Sequence, residues 1–322
     1  MTCARLALGT YPTPIERLED LGLWVKRDDR IAALYGGNKV RKLERLLGAA
    51  RAAGKTRVLT LGAAGSHQLV ATALFGRREG FDVEAVVVPQ PSSEHGRRNL
   101  RVALASGLAP VVATSWAAAP VRLATRLRRD AYFVPLGGSN ALGSLGFVDA
   151  AEEVAGQVAA GAMPEPDVVV VATGSGGTAA GLAVGFEAAG MRTRVVGVAI
   201  SRPVPVLSAM ARRVARKTAE RVGLTRAQAA RAAERIDVDP RWVGRGYGWP
   251  LPEGEAAARD AARVGLVLDA TYTAKAFACA LSLARAERPS AILYWHTLST
   301  APMEPLLAGA PALAPELAHL FR

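Results

Sequence analysis

Short apolar runs alternate along this chain with longer stretches of mixed character. Leu23–Arg27, Arg57–Leu61, Val83–Val88, Val111–Ala113, Tyr132–Val134, Asp167–Ala172, Val195–Ala199 and Ile292–Trp295 predict strands. Most are nearly continuous in apolar residues, as expected of strands covered on both faces. Between them, Lys39–Ala53, His67–Gly80, Gly176–Gly190 and Thr273–Glu287 predict helices. The alternation predicts an α/β fold with parallel sheets, and no repeat at a solenoid period underlies it. One stretch breaks the rhythm. Val206–Asp237 predicts no strand and carries eight basic residues against three acidic ones. Within it, Leu224-Thr225-Arg226-Ala227-Gln228-Ala229-Ala230 resembles the entry to a DNA-binding helix. The plainer reading is a helix capped by Thr225, with Gln228 reaching back to it. The segment is therefore expected to be a charged, solvated helical hairpin.

Composition sharpens the picture in three places. The 322 residues suffice for about two domains, and 50% hydrophobic against 21% charged residues is globular composition. Two cysteines, Cys3 and Cys279, exclude a disulfide scaffold or a four-cysteine metal cluster, and both are expected to be ordinary residues. The apolar runs all fall short of the ~18 residues of a membrane span, and Met1–Leu8 does not have the form of a signal peptide. A reduced, cytoplasmic location is the expectation. The net charge of +12 admits nucleic acid as a partner. However, the basic residues are nearly all arginine and alanine is abundant, which points to a GC-rich coding bias. Lysines occur only at 26, 39, 42, 55, 217 and 275, so each can be weighed singly.

Four glycine-rich turns carry the candidate chemistry, since ligands in open α/β sheets gather where strands end and helices begin. Thr173-Gly174-Ser175-Gly176-Gly177-Thr178 follows an apolar strand and opens a helix. Its glycines admit close approach of an anion, and its hydroxyls add donors, so it reads as a phosphate cradle. It is neither a Walker loop nor a dinucleotide fingerprint. Gly36-Gly37-Asn38-Lys39 leads into a helix whose first turn bears a lysine. The helix dipole disfavours a cation there and favours the neutral amine that a Schiff base needs. Gly62-Ala63-Ala64-Gly65-Ser66-His67-Gln68 puts Ser66 at a helix start, as a plain N-cap or as a carboxylate binder. Gly244-Arg245-Gly246-Tyr247-Gly248 and Asp269-Ala270-Thr271-Tyr272-Thr273-Ala274-Lys275 each present a tyrosine at a turn, for packing or for a ligand.

Together these segments resemble one family. Tyr11–Glu16, Lys26-Arg27-Asp28-Asp29, Gly36–Glu44, Gly137-Gly138-Ser139-Asn140 with Leu142-Gly143, Gly174–Thr178, Gly246-Tyr247-Gly248 and Tyr272–Lys275 are similar in order and spacing to the D-cysteine desulfhydrase / 1-aminocyclopropane-1-carboxylate deaminase family. The resemblance covers residues 10 to 300. It implies a two-domain pyridoxal 5'-phosphate enzyme of fold type II, the tryptophan-synthase-β fold, with parallel-sheet three-layer domains. By that resemblance Lys39 carries the Schiff base, with Lys42 as its alternative. Gly174, Ser175, Gly176, Gly177 and Thr178 hold the cofactor phosphate. Ser66 binds the substrate carboxylate and takes part in proton transfer. Tyr247 and Tyr272 flank the substrate, Tyr272 as a candidate acid/base. Asn38 belongs to the cofactor pocket, and Thr273 or Thr297 meets the pyridine nitrogen.

In the deaminase branch the residue after the second tyrosine is a glutamate, which keeps the ring nitrogen protonated for cyclopropane opening. Threonine at 273 argues for the desulfhydrase side, and so for α,β-elimination from a small amino acid such as D-cysteine. Three departures from the family pattern stand out. His67 replaces an asparagine that contacts the ring hydroxyl or the substrate carboxylate. Leu298-Ser299 replaces a pair of glycines, and Ala270 a proline. They keep deaminase, racemase and β-replacement chemistry open, as well as a non-catalytic binder on the same fold. The expected architecture is a large cofactor domain, 1–42 and 149–322, with a small α/β domain, 43–148, inserted and able to close over the substrate. The active site is expected in the cleft between them, in a homodimer without nucleic-acid or membrane partners.

Overall fold

The computed structural model describes residues 4–286 and 291–322. Cys3 and Glu287 therefore lie outside the described residues. Ten strands form two sheets: β1 Ile15–Leu18, β2 Leu23–Lys26, β3 Arg57–Ala63, β4 Asp82–Val88, β5 Leu108–Val112, β6 Ala131–Phe133, β7 Val168–Thr173, β8 Arg194–Ala199, β9 Ile236–Asp239 and β10 Ile292–Trp295. The chain divides into two compact units. One takes the residues up to Leu8, Leu43–Gly138 and Ala301–Arg322, and the other Gly9–Lys42 and Ser139–Thr300.

The larger unit holds the six-stranded sheet, in the order β1-β2-β10-β7-β8-β9. All its pairings are parallel except β1 with β2. Successive residues of β7 face opposite ways, and both faces are covered. Val169 and Val171 pack with Phe147, Leu182 and Phe186 on one side. Val168 and Val170 pack with Ala257, Ala261, Phe277 and Leu281 on the other. The strand is apolar throughout because neither face meets water. The result is a three-layer α/β unit.

Two strands at the sheet edges, β1 and β9, add to those the hydrophobic runs predict. The sequence Ile236-Asp237-Val238-Asp239 of β9 begins inside the stretch expected to have none. The rest of that stretch is helical, Val204–Arg221 and Arg226–Glu234, and Thr225 and Gln228 form a capping box. Its basic side chains are partly anchored: Arg231 and Arg235 converge on the Glu187 carboxylate at 2.7 and 2.8 Å.

The smaller unit is a four-stranded, all-parallel sheet ordered β5-β4-β3-β6, flanked by helices His67–Arg78 and Glu94–Ala105. The described residues 4–8 and Ala301–Arg322 join it, where the inserted-domain reading puts them with the larger unit. The Gln90 N–H donates to Leu320 O at 2.8 Å, and the Arg322 N–H to Gln90 O at 3.0 Å. Near the N-terminus, Arg5 pairs with the buried Glu44 carboxylate at 2.7 Å.

Candidate active site

The larger unit brings the glycine turn of Lys39 to the glycine loop after β7. Gly36 and Gly37 are demanded by close packing. A Cβ at Gly36 would lie 2.0 Å from Asp29 O, and one at Gly37, whose φ is +86°, would lie 2.4 Å from Thr297 O. The Gly36 N–H donates to the Ser299 hydroxyl at 2.8 Å, so one of the unexpected residues holds this turn in place. Helix Lys39–Ala52 begins directly afterwards. Lys39 Nζ donates to Asn38 Oδ1 at 2.9 Å, and Asn38 Nδ2 donates to Thr178 Oγ1 at 3.1 Å. One amide thus ties the lysine to the end of the glycine loop. Burial brings the Lys39 amine down to about 8, with Asp269 pulling the other way. A substantial neutral fraction near physiological pH is what a nucleophilic lysine needs.

The loop itself has the form of an anion cradle. Gly176 has φ +82° and precedes helix Gly177–Ala188. Side chains on its glycines would collide with their surroundings, at 2.9 Å from Ile200 for Gly174, 2.7 Å from Ala211 for Gly176 and 2.4 Å from Ser139 for Gly177. The Ser139 hydroxyl accepts the Gly177 N–H at 3.2 Å and lies 2.8 Å from Ser175 Oγ. Lys42, one turn beyond Lys39, donates to that same hydroxyl at 3.2 Å. Its pKa is driven well below the ordinary lysine value, first by burial and then by Lys39. A bound dianion would favour its charged form. Glycine backbone, helix N-terminus, two hydroxyls and a buried lysine amine fit a phosphate monoester. Neither Ser139 nor Lys42 is singled out for the phosphate by sequence, because only the fold carries them to the loop.

The second half of the larger unit's site is a tyrosine pair. The hydroxyls of Tyr247 and Tyr272 are 2.7 Å apart and the rings meet edge to face, centroids 5.7 Å apart. Tyr272 precedes helix Thr273–Ala286, whose start is organised by the buried Asp269. The Asp269 carboxylate accepts the N–H groups of Thr271, Tyr272 and Thr273 at 2.7 to 3.2 Å. Thr273 Oγ1 donates to Asp269 Oδ2 at 2.7 Å and accepts the Asp269 N–H at 2.7 Å. Its one hydroxyl proton is committed, so Thr273 would have to release Asp269 to donate to a ring nitrogen. Thr297 is partly buried, and its carbonyl accepts the Asn38 N–H at 3.3 Å. The adjoining His296 is buried and held neutral, its pKa brought down to about 4 by desolvation.

Ser66 and His67 lie in the smaller unit. Ser66 is the N-cap of helix His67–Arg78, its hydroxyl accepting the Gln68 N–H at 3.1 Å. That leaves the hydroxyl proton to be donated. His67 Nε2 stands 3.1 Å from His95 Nε2. Asn99 Nδ2 also donates to His95 Nε2, at 3.3 Å, which makes that nitrogen the acceptor and His67 the donor. Of the remaining candidates, Ala270 is exposed, so the missing proline leaves no gap. Leu298 is buried. Cys279 is buried beside Asp239, its thiol pushed far up by desolvation and therefore inert. Among the described residues no helix is long and apolar enough to cross a membrane.

Residues 6–297 match the family model described as pyridoxal-phosphate dependent enzyme. A D-cysteine desulfhydrase of Klebsiella pneumoniae (strain 342) is 35% identical, over 98% of this chain and 97% of its own length. A nocardicin C-9' epimerase of Nocardia uniformis subsp. tsuyamanensis is 36% identical, over 92% and 93%. Among solved structures, an ACC deaminase homologue superposes with a TM-score of 0.79 at 30% identity, covering 95% of this chain and 96% of that one.

Proposed function

The chain belongs to the pyridoxal-phosphate dependent enzymes, in the D-cysteine desulfhydrase and ACC deaminase group, and from that premise we propose that it is a lyase acting on a small amino acid such as D-cysteine. The overall change is elimination of hydrogen from Cα and sulfide from Cβ. Water then completes the conversion to a 2-oxo acid and ammonia. The carrying observation is the lowered amine of Lys39, tied through Asn38 to the glycine loop.

The cofactor, when bound, supplies the electron sink for the bond-breaking at Cα. Lys39 is the residue of attachment, and Gly174–Thr178 with Ser139 and Lys42 hold the phosphate. With its pKa near 8, Lys39 Nζ is suited to take and return a proton at Cα. One of the Tyr247 and Tyr272 hydroxyls donates to the other across 2.7 Å, so the accepting tyrosine keeps its own proton to deliver and the donor's hydrogen bond stabilises the oxygen left behind. Ser66 Oγ donates to the substrate carboxylate in this reading. With a threonine at 273 bound to Asp269, the chain offers no strong acid at that position, which favours loss of a good leaving group over ring opening.

The test is the visible spectrum of the protein loaded with cofactor, with 2-oxo acid release measured on D- and L-cysteine. The expected result is an absorbance band that D-cysteine changes, with pyruvate and sulfide released. Lys39→Ala is expected to lose both band and turnover. A band in wild type that persists unchanged in Lys39→Ala overturns the assignment of Lys39. The epimerase relative favours a second reading, proton exchange at Cα without elimination. Deuterium entering Cα from solvent with no 2-oxo acid formed selects it over the lyase.

A further inference from the structure

The turn that carries Tyr247 is tied locally by backbone hydrogen bonds from Gly246 N–H to Val243 O at 3.0 Å and from Trp249 N–H to Gly246 O at 3.4 Å. Gly244, Gly246 and Gly248 have φ of +56°, +114° and +80°, so three of five residues are conformationally free in the unfolded chain and costly to order. From the solvent side Arg202 reaches the Gly244 carbonyl, at 3.2 Å. From beneath, Lys275 does more. It is fully buried, and its Nζ donates to Val243 O at 3.0 Å and Gly246 O at 3.1 Å. The Gly246 carbonyl belongs to the peptide plane that continues into the Tyr247 nitrogen, so fixing that carbonyl fixes the plane from which Tyr247 departs. Lys275 also lies three residues after Tyr272, on the first turn of the helix that Tyr272 precedes. One side chain therefore binds the backbone of one tyrosine to the helix start of the other.

We propose that Lys275 is a positioning residue for the Tyr247–Tyr272 pair, its buried ammonium clamping the glycine turn so that the two hydroxyls meet. The catalytic consequence rests on the lyase reading given above; the geometric one does not. Burial without a carboxylate in direct contact is a costly way to keep a lysine, and desolvation brings it down to about 8. A methionine would fill the same space without that cost, but would take away the charged donor that joins the Val243 and Gly246 carbonyls, leaving them to the backbone N–H groups of Gly246 at 3.0 Å and Trp249 at 3.4 Å.

The test follows the titration of Tyr272 by ¹³Cζ NMR in the full-length holoenzyme, with tyrosines assigned by phenylalanine variants. In wild type, Tyr247→Phe removes the partner hydroxyl and is expected to move the Tyr272 midpoint by about one pH unit. In the Lys275→Met background the same substitution is expected to move it by less than about a third of that. In the activity arm, Lys275→Met is expected to lower kcat on D-cysteine about 10–100-fold with cofactor affinity unchanged. Lys275→Gln, which keeps two N–H donors, is expected to recover part of it. An equal Tyr272 response in both backgrounds overturns the proposal. If Lys275→Met does not fold, Lys275→Leu, which also lacks a donor, is read in its place against the same criterion. If wild type does not turn over D-cysteine, the lyase reading falls and the tyrosine titration alone decides Lys275.

Discussion

Lys26 and Lys42 are buried and Lys39 is partly buried in the same unit, but Lys26 stands in a different electrical setting from the other two. Lys26 donates to Glu153 at 2.5 Å, to Thr13 O at 2.7 Å and to Gln157. Glu153 in turn accepts Arg41 at 3.0 Å, and Arg41 reaches Asp28, whose carboxylate also accepts the Trp295 indole at 2.7 Å. Charges of both signs close on one another, and the network is complete as it stands. Lys39 and Lys42 donate instead to an amide oxygen and a hydroxyl, and each other's proximity works against Lys42's charge. The first arrangement holds strands and helices together. The second keeps positive charge in reserve for an anion that comes from outside. A buried lysine is thus read by its surroundings: closure within a carboxylate network marks architecture, a place beside a glycine cradle marks a binding site.

The largest expected effect falls on the closed network. Glu153→Gln leaves Lys26 and Arg41 facing a neutral amide and is expected to cost about 3–5 kcal/mol in denaturant unfolding. The Lys26 and Arg41 charges hold Glu153 down to about 2, below the ordinary carboxylate value of 4.5. Its stabilisation is therefore present above pH 4.5 and lost as pH falls toward 2, a limb that should vanish in Glu153→Gln. A loss no larger than that of an exposed glutamate would remove the distinction.

Next is Lys42→Met, expected to leave the protein folded and to weaken pyridoxal 5'-phosphate about 10–100-fold, the worth of one charge-assisted bond. Affinity for pyridoxal without phosphate should hardly change, as an absorbance titration of both ligands would reveal. Equal losses for the two ligands would place Lys42 away from the phosphate. Lys39→Met is expected to act in the reverse direction to Glu153→Gln. Folding depresses Lys39 from 10.5 to about 8, so the unfolded apo-chain binds more protons across that window and stability rises with pH through it. Below it the cost is fully present. Removing the amine should raise apo-protein stability at pH 7 by about 1–2 kcal/mol, the shift being discounted for partial exposure. Smallest is Ser139→Ala, with a cofactor affinity loss of about 2–10-fold and unfolding near that of wild type.

The parts of this molecule legible in the sequence are those set by local backbone rules or by burial on both faces. The central strands β7, β8 and β10 appear as apolar runs because helices cover both sides. The edge strands of that sheet, β1 and β9, do not. Ile15-Glu16-Arg17-Leu18 and Ile236-Asp237-Val238-Asp239 mix charge into four residues, and a run that short has no reliable period. Thr225 and Gln228 announce their helix start because a capping box is a contact across three residues. Gly36, Gly37, Gly174, Gly176 and Gly177 are legible as turn residues, since only glycine tolerates the φ or the approach they need.

What the sequence could determine by itself was therefore the α/β class, the glycine turns, the candidate Lys39 and, through resemblance, the cofactor. Tertiary structure alone decided who meets whom. Ser139 and Lys42 meet at the glycine loop across 97 residues, and Lys275 meets the Tyr247 turn across 29. It also gave Ser299 to the Gly36 turn and committed the Thr273 hydroxyl to Asp269. Local propensity and spacing encode what a segment does with its own backbone. The charge state of a buried lysine depends on desolvation and on neighbours brought from elsewhere in the chain, and those exist only once the chain has folded.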